Sequence, residues 1–118
     1  MKSIQDYTNH NSVKITETLR DLVTLESFTP EKTNVDKLGA YIRGRLEDLG
    51  ASVDIVRQPD KGDHYLASWG DSTDQVLILC HFDTVWPQGN VAQRPFRIDS
   101  GKAVGPGILD MKAGIAIT

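Results

Sequence analysis

The sequence predicts an α/β fold, a sandwich of helices around a mixed β-sheet. Two observations lead to this prediction. The first half of the chain carries two amphipathic helical stretches, and short β-prone runs separated by turns follow them before a last helical segment. Helices followed by several strands and another helix are typical of domains that pack helices onto a sheet. With 118 residues the chain has the size of one domain, and no repeat or linker divides it.

The two helices are predicted from apolar residues that recur at helical spacing. The first runs from Ser12 to about Glu26, before Pro30, which cannot continue a helix. The second runs from about Thr33 to Leu49, and Gly50 provides its stop. The faces expected to be buried consist of Ile15, Leu19, Leu22 and Val23 in the first helix and Val35, Leu38, Ile42, Leu46 and Leu49 in the second.

Three β-prone runs follow, and turns rich in Gly, Pro and Asp separate them. They are Ser52–Arg57, His64–Trp69 and Gln75–Cys80. The third run is almost entirely apolar without alternation, which favours a central strand covered on both faces. Farther along, Phe96–Asp99 and Lys102–Val104 flank Ser100-Gly101 and predict a small hairpin, and Met111–Thr118 predicts a final helix.

The composition argues against several classes of protein. The formal net charge is -3, with acidic and basic residues interspersed, so neither nucleic-acid binding nor a polybasic membrane surface is expected. The sequence contains no apolar run long enough to span a bilayer and no apolar core of a signal peptide in its first residues. The single cysteine, Cys80, excludes an internal disulfide framework. We therefore expect a cytoplasmic protein.

His81 and Asp83 follow the third β-prone run directly, where an open α/β sheet places its ligand site. Their spacing of two puts both side chains on one side of a continuing strand. A histidine can ligate a divalent metal ion through one ring nitrogen while a carboxylate binds the other nitrogen and fixes its tautomer. Taken alone, a histidine at a strand end is more often a structural residue, so the pair does not by itself identify a metal site.

Asp110 follows the turn Gly105-Pro106-Gly107 and precedes the last predicted helix. Such a turn can fix the position of a carboxylate tightly. One carboxylate can bridge two cations that lie about 3.5–4 Å apart, the spacing found in two-metal hydrolases. The alternative is that Asp110 only caps the helix, a position where acidic residues are favoured.

Taken together and in order, these blocks resemble a known enzyme family. The blocks are H-F-D-T-V-W-P-x-G from His81, R-P-F from Arg94 and G-P-G-x-x-D-M-K-A-G from Gly105. They are similar to those of the co-catalytic zinc metallopeptidases, the family of glutamate carboxypeptidase, aminoacylase, acetylornithine deacetylase and succinyl-diaminopimelate desuccinylase. The resemblance extends over essentially the whole chain but covers only the first part of a family member.

The resemblance implies a metal-binding hydrolase with two zinc ions per intact active site, and cobalt or manganese are the alternative metals. It implies that His81 ligates one zinc ion and that Asp110 bridges both. Asp83 is the implied catalytic residue, which orients the His81 ring. In such proteins the peptide bond after the bridging aspartate is often cis, so we expect a cis bond between Asp110 and Met111.

The resemblance also implies what a complete active site needs besides these residues. The family's general base and one ligand come from a later Glu-Glu pair, and a later acidic ligand and a late histidine complete the site. None of these, nor the family's inserted dimerisation domain, has a counterpart up to Thr118. We therefore expect residues 1–118 to be the N-terminal fragment of a catalytic domain of the zinc aminopeptidase and carboxypeptidase type, and to be inactive alone.

Within the family, Thr84-Val85-Trp86-Pro87 and the Gly105-Pro106-Gly107 turn look like those of glutamate carboxypeptidases. The implied substrate is a small peptide or N-acyl amino acid with a free terminal carboxylate, glutamate first. The alternatives within the family are the deacetylase, desuccinylase and aminoacylase types of amidohydrolase. The alternative of another class is a non-catalytic module that only folds or self-associates. A homo-oligomer is expected in either case, because an uncovered apolar face around Leu77, Ile78 and Ile115 should associate.

Other residues with reactive or aromatic side chains are given structural roles. Cys80 stands where the family usually has glycine, and we expect it to point away from a metal ion and to pack in the core. His10 and His64 are expected to be solvated, and Lys112 is expected to lie on a helix surface. For Trp86 two roles remain open, namely the rim of a ligand groove and core packing.

Overall fold

The computed structural model describes residues 3–118, and these fold into five helices and four short strands. A kinked helical turn, Ile108–Lys112, precedes the last helix. The elements are α1 Ile4–His10, α2 Ser12–Thr24, α3 Lys32–Asp48, β1 Ser52–Val56, β2 His64–Ser68, α4 Asn90–Gln93, β3 Arg97–Asp99, β4 Lys102–Val104 and α5 Ala113–Ile117.

Helices α2 and α3 form where the apolar periodicity predicted them, and they supply the buried apolar side chains. The core residues are Leu19, Leu22 and Val23 in α2 and Val35 and Leu38 in α3. Leu49 was expected to be buried, but it is exposed because α3 ends at Asp48 and Leu49 is its C-cap. The core therefore lies along the first two turns of α3 and the second half of α2.

Strands β1 and β2 form an antiparallel hairpin that pairs Ser52 with Ser68 and Val56 with His64. Helix α3 packs against this hairpin. A Cβ atom on Gly39 would lie 2.5 Å from Tyr65 Cε2, so a glycine at this position permits the close approach of the helix to β2. Strands β3 and β4 form the small hairpin that the sequence predicted, with Arg97 opposite Val104.

The prediction that Gln75–Cys80 forms a central strand is wrong. These residues form no strand, and the side chains of Val76, Leu77, Ile78 and Leu79 are between 61% and 90% exposed. A strand needs ladder partners for its backbone N–H and C=O groups, and no other strand within residues 3–118 pairs with this run. Cys80 is exposed as well, so its predicted burial in the core is also wrong.

The two described sheets are separate and two-stranded, and both are antiparallel. Helices combined with small sheets are consistent with the predicted α/β class, whereas the sandwich around a mixed sheet stays a prediction. The expected homo-oligomer also stays a prediction. No helix within residues 3–118 combines the length and the apolar character that crossing a membrane requires.

A buried carboxylate, that of Asp63, joins the start of α3 to the loop between β1 and β2. Its Oδ1 accepts hydrogen bonds from Lys32 Nζ at 2.8 Å and from the Gln58 N–H at 3.0 Å, and Oδ2 accepts one from Arg57 Nη1 at 2.6 Å. The Asp63 N–H donates to Asp36 Oδ1 at 2.8 Å. The bond from Lys32, followed by that from Gln58, holds the pKa of Asp63 well below its usual range.

Acid is expected to weaken the fold through Asp63. Because the folded-state pKa is lowered, the stabilisation is fully present above the unfolded-state pKa of about 3.9 and is lost as the pH falls toward the folded-state value. Below about pH 4, the free energy of unfolding should therefore fall more steeply in the wild type than in Asp63→Asn. Urea denaturation at each pH measures this, with Asp60→Asn as the control for an exposed carboxylate in the same loop. Parallel curves for the wild type and Asp63→Asn would contradict it.

Candidate active site

The segment Ser27–Thr29, which follows α2, fixes the backbone of Phe82–Thr84. The Thr84 N–H donates to the Ser27 carbonyl at 2.8 Å, and the Thr29 N–H donates to the Thr84 carbonyl at 2.9 Å. These bonds form a parallel bridge between Phe28 and Thr84. The Ser27 hydroxyl also donates to the Phe82 carbonyl at 2.7 Å. We call this set of bonds the α2 clamp, and it determines where the chain places His81 and Asp83.

Glu26 extends the same attachment to the next loop. Its carboxylate accepts hydrogen bonds from the Gly89 N–H at 2.8 and 2.9 Å and from the Val91 N–H at 3.0 Å. The bonds from Gly89 and then Val91 hold the pKa of Glu26 below its ordinary value. Glu26 therefore anchors the start of α4 to the end of α2.

Lys112 is buried, which contradicts the prediction that it lies on a helix surface. Its Nζ donates to the Leu22 carbonyl at 2.6 Å and to the Leu25 carbonyl at 3.1 Å. These carbonyls lie at the C-terminal end of α2, where the helix leaves backbone oxygens without intrahelical donors. Burial lowers the pKa of Lys112 to about 8, and the nearby Glu26 carboxylate opposes that shift. Sequence periodicity missed this contact because the turn before α5 is kinked at Asp110 and Met111.

The glycine turn before Asp110 packs closely against the clamped segment. Gly107 has a φ of +72°, and a Cβ atom there would lie 2.5 Å from Thr84 Cγ2. The Lys112 N–H donates to the Gly107 carbonyl at 3.0 Å. The peptide bond between Asp110 and Met111 is cis, as the resemblance predicted. The turn thereby brings Asp110 beside His81.

The structure brings the three predicted site residues together. His81 Nε2 lies 2.9 Å from Asp110 Oδ1. On the other side of the ring, Nδ1 lies 3.2 Å from the Asp83 carbonyl and 3.3 Å from Asp83 Oδ1. The His81 N–H also donates to the sulfur of Met111 at 3.4 Å. One imidazole is therefore placed between the acceptors of two aspartates.

The surroundings of His81 shift its pKa in opposing directions. Partial burial acts to lower the pKa of His81, but the hydrogen bonds with Asp110 and with the Asp83 carbonyl, together with the charges of both carboxylates, act to raise it. The net result is a pKa above the ordinary value for histidine. The Asp110 side chain is 83% exposed and that of His81 48%, so the site is open to solvent.

The donors present fit part of a zinc site. Zinc accepts imidazole nitrogen and carboxylate oxygen, and two ligands of one tetrahedral zinc ion lie about 3.3 Å apart. The 2.9 Å between His81 Nε2 and Asp110 Oδ1 is a hydrogen-bond distance and is shorter than that separation, so the two groups would have to move apart to share one ion. Within residues 3–118, no three His, Cys, Asp or Glu side chains are grouped so that they could ligate a metal ion. Asp83 faces Nδ1, the ring nitrogen opposite the one that faces Asp110.

The remaining candidates lie apart from this contact. His10 and His64 are exposed, as expected. Trp86 is half-buried, and the Arg94 guanidinium lies 5.2 Å from the centroid of its ring. A cation over an indole face is a favourable arrangement, so Trp86 serves at least as a packing partner of Arg94.

Sequence reasoning missed Glu26, Ser27 and Thr29 as residues of the site region. The signal that was available is E-S-x-T directly after an amphipathic helix, a run of short polar side chains at a point where the chain must leave the helix. Such side chains commonly bind backbone groups of other segments. The pattern does not name the partner, because Phe82–Thr84 lies 55 positions away.

Two curated proteins are similar in sequence to this chain. Carboxypeptidase G2 of Pseudomonas sp. (strain RS-16) is 32% identical over 106 residues, 87% of this chain and 26% of that protein. Succinyl-diaminopimelate desuccinylase 2 of Shewanella loihica (strain ATCC BAA-1088 / PV-4) is 31% identical over 104 residues, 83% of this chain and 26% of that protein. The chain thus spans about a quarter of the length of both. It matches no protein-family model.

These similarities support the peptidase family that the motif blocks resemble. One of the two proteins is named a carboxypeptidase and the other a desuccinylase.

The buried amine of Lys112 is expected to stabilise the fold. In Lys112→Met, the Leu22 carbonyl loses a donor at a buried position, and one such unsatisfied group costs about 1–3 kcal/mol. The free energy of unfolding should therefore fall by about that amount in urea denaturation followed by tryptophan fluorescence. Lys102→Met removes the same charge from an exposed position in β4 and should leave the stability nearly unchanged. Equal stability of the two variants would exclude this role for Lys112.

Proposed function

We propose that this chain carries part of the metal centre of a zinc-dependent amidohydrolase, a carboxypeptidase-like enzyme that cleaves the amide bond next to a C-terminal amino acid. The single observation that carries the proposal is the 2.9 Å contact between His81 Nε2 and Asp110 Oδ1, with Asp83 on the opposite side of the ring. The resemblance assigns metal ligation to His81 and Asp110, and the site presents their donor atoms side by side and open to solvent.

Each of the three side chains has a distinct task in this proposal. His81 presents the Nε2 lone pair to the metal, and Asp83 accepts the proton on Nδ1 so that this tautomer is favoured. Asp110 supplies a carboxylate that two cations can share. Zinc, when bound, supplies a Lewis acid and a water molecule of lowered pKa. The resemblance places the general base that would deprotonate this water in a Glu-Glu pair with no counterpart up to Thr118.

Glutamate is the proposed first choice at the C-terminal position of the substrate. The supporting residues are Thr84-Val85-Trp86-Pro87 and the Gly105-Pro106-Gly107 turn, which look like those of glutamate carboxypeptidases. The similarity to a desuccinylase keeps N-succinyl amino acids as the second candidate substrate. The rates at which the enzyme hydrolyses N-acyl glutamate and N-succinyl-diaminopimelate, measured side by side, distinguish the two branches.

Zinc binding tests the proposed ligands without any enzyme assay. Addition of Zn²⁺ to the 118-residue chain should shift the imidazole ¹⁵N resonances of His81, with low affinity because a stable structural zinc site has about four protein ligands. His81→Ala and Asp110→Ala should abolish specific binding in calorimetric titration. His64→Ala removes an exposed histidine and should retain it. Unchanged His81 resonances at high Zn²⁺ concentration would count against these ligands.

Hydrolysis tests the proposed activity in the protein encoded by the complete reading frame. Asp83→Asn should lower zinc affinity or activity on N-acyl glutamate about 10–100-fold, the usual effect of removing the partner of a ligating histidine. Asp99→Asn, an exposed change in β3, serves as the control. The 118-residue chain alone should show no activity above its own His81→Ala variant. Zinc-dependent turnover by that chain would show that it needs no further residues.

A further inference from the structure

Thr29 is the residue of the α2 clamp that reaches the site through its side chain. Its hydroxyl lies 2.7 Å from Asp83 Oδ2 and 3.0 Å from the Thr84 carbonyl. A hydroxyl has one proton to donate. The shorter distance and the charge of the carboxylate favour Asp83 as the acceptor, because hydrogen bonds to ionised groups are shorter and stronger than those to neutral groups.

The two oxygens of Asp83 therefore face different partners. Oδ2 faces the Thr29 hydroxyl, while Oδ1 lies 3.3 Å from Nδ1 of His81. A carboxylate that is bound at only one oxygen can rotate about its terminal bond, since this torsion is broad. The bond from Thr29 limits that rotation, and Thr29 is itself fixed by its main-chain bond to Thr84.

We infer that Thr29 is a positioning residue for His81. Its hydroxyl orients the Asp83 carboxylate beside Nδ1 of His81, next to the Asp83 carbonyl, and this favours a proton on Nδ1 and leaves Nε2 free for a metal ion in place of its contact with Asp110. This inference rests on the proposed function for its purpose, because a free Nε2 lone pair matters only if the nitrogen ligates a metal ion. The hydrogen-bond geometry on which it is built is independent of any metal.

Thr29→Val is a clean test, because valine keeps the shape of the side chain and removes only the hydroxyl. The Thr84 carbonyl retains the N–H of residue 29, so the bridge between the two segments survives. In the metal-free protein at one fixed alkaline pH, imidazole ¹⁵N chemical shifts give the ratio of the Nδ1–H to the Nε2–H tautomer of His81. That ratio should fall about threefold to tenfold in Thr29→Val, the factor expected for losing one hydrogen bond.

Two further variants separate positioning from general support of the loop. Thr29→Ser keeps a hydroxyl and should restore the wild-type ratio. Ser27→Ala removes the other hydroxyl of the clamp, which binds the Phe82 carbonyl and does not contact Asp83 in the described contacts. It should leave the ratio unchanged even if it lowers the melting temperature. If Thr29→Val does not fold, Thr29→Ala is compared with Thr29→Ser in the same way.

A wild-type ratio in folded Thr29→Val, or an equal change in Ser27→Ala, would overturn the inference. Addition of Zn²⁺ to each sample separates this result from the fate of the proposed function. If Zn²⁺ shifts no His81 resonance even in the wild type, the proposed metal role fails while the tautomer ratio still decides the role of Thr29. If Zn²⁺ binds and the ratio is the same in all variants, the metal role stands and that of Thr29 does not.

Discussion

The site depends on one set of hydrogen bonds, the pairing of Ser27–Thr29 with Phe82–Thr84. Within the described residues, His81 and Asp83 belong to a stretch that forms no strand, so no ladder fixes their position. The Phe28–Thr84 bridge fixes their position instead, and the buried side chains of Ser27 and Thr84 shield its hydrogen bonds from water. A hydrogen bond that is shielded from water is costly to lose, because the separated groups are left without partners.

The C-terminal end of α2 is the common support for all three parts of the site region. Glu26 binds the N–H groups at the start of α4, Ser27 and Thr29 bind the His81 segment, and Lys112 binds the last carbonyls of the helix. The cation lies at the end of α2 that carries partial negative charge, which is the favourable arrangement. Buried charges normally destabilise a fold, but among the described residues every buried side-chain nitrogen and oxygen atom has a hydrogen-bond partner.

The contact between His81 and Asp110 is open to solvent. Asp110 lies beside Nε2 of His81, and Asp83 lies beside the other ring nitrogen, Nδ1. In the proposed function the two donors from His81 and Asp110 would hold a metal ion less firmly than the four protein ligands of a structural zinc site. The exposed side chains of Val76, Leu77, Ile78 and Leu79 precede this site directly in the chain. Covering an apolar run of this kind with another surface removes it from water and lowers the free energy.

The sequence by itself determined the local elements and the identity of the site residues. The periodicity of α2 and α3, the β-prone runs at β1 and β2 with the turn between them, and the Ser100-Gly101 turn are local patterns, and they predicted the observed elements closely. The motif blocks selected His81, Asp83 and Asp110. Only the tertiary structure decided the state of Gln75–Cys80, the burial of Lys112 and the roles of Glu26, Ser27 and Thr29. These features depend on partners distant in the chain, because an apolar run becomes a strand only beside another strand and a polar side chain is buried only where its acceptors are.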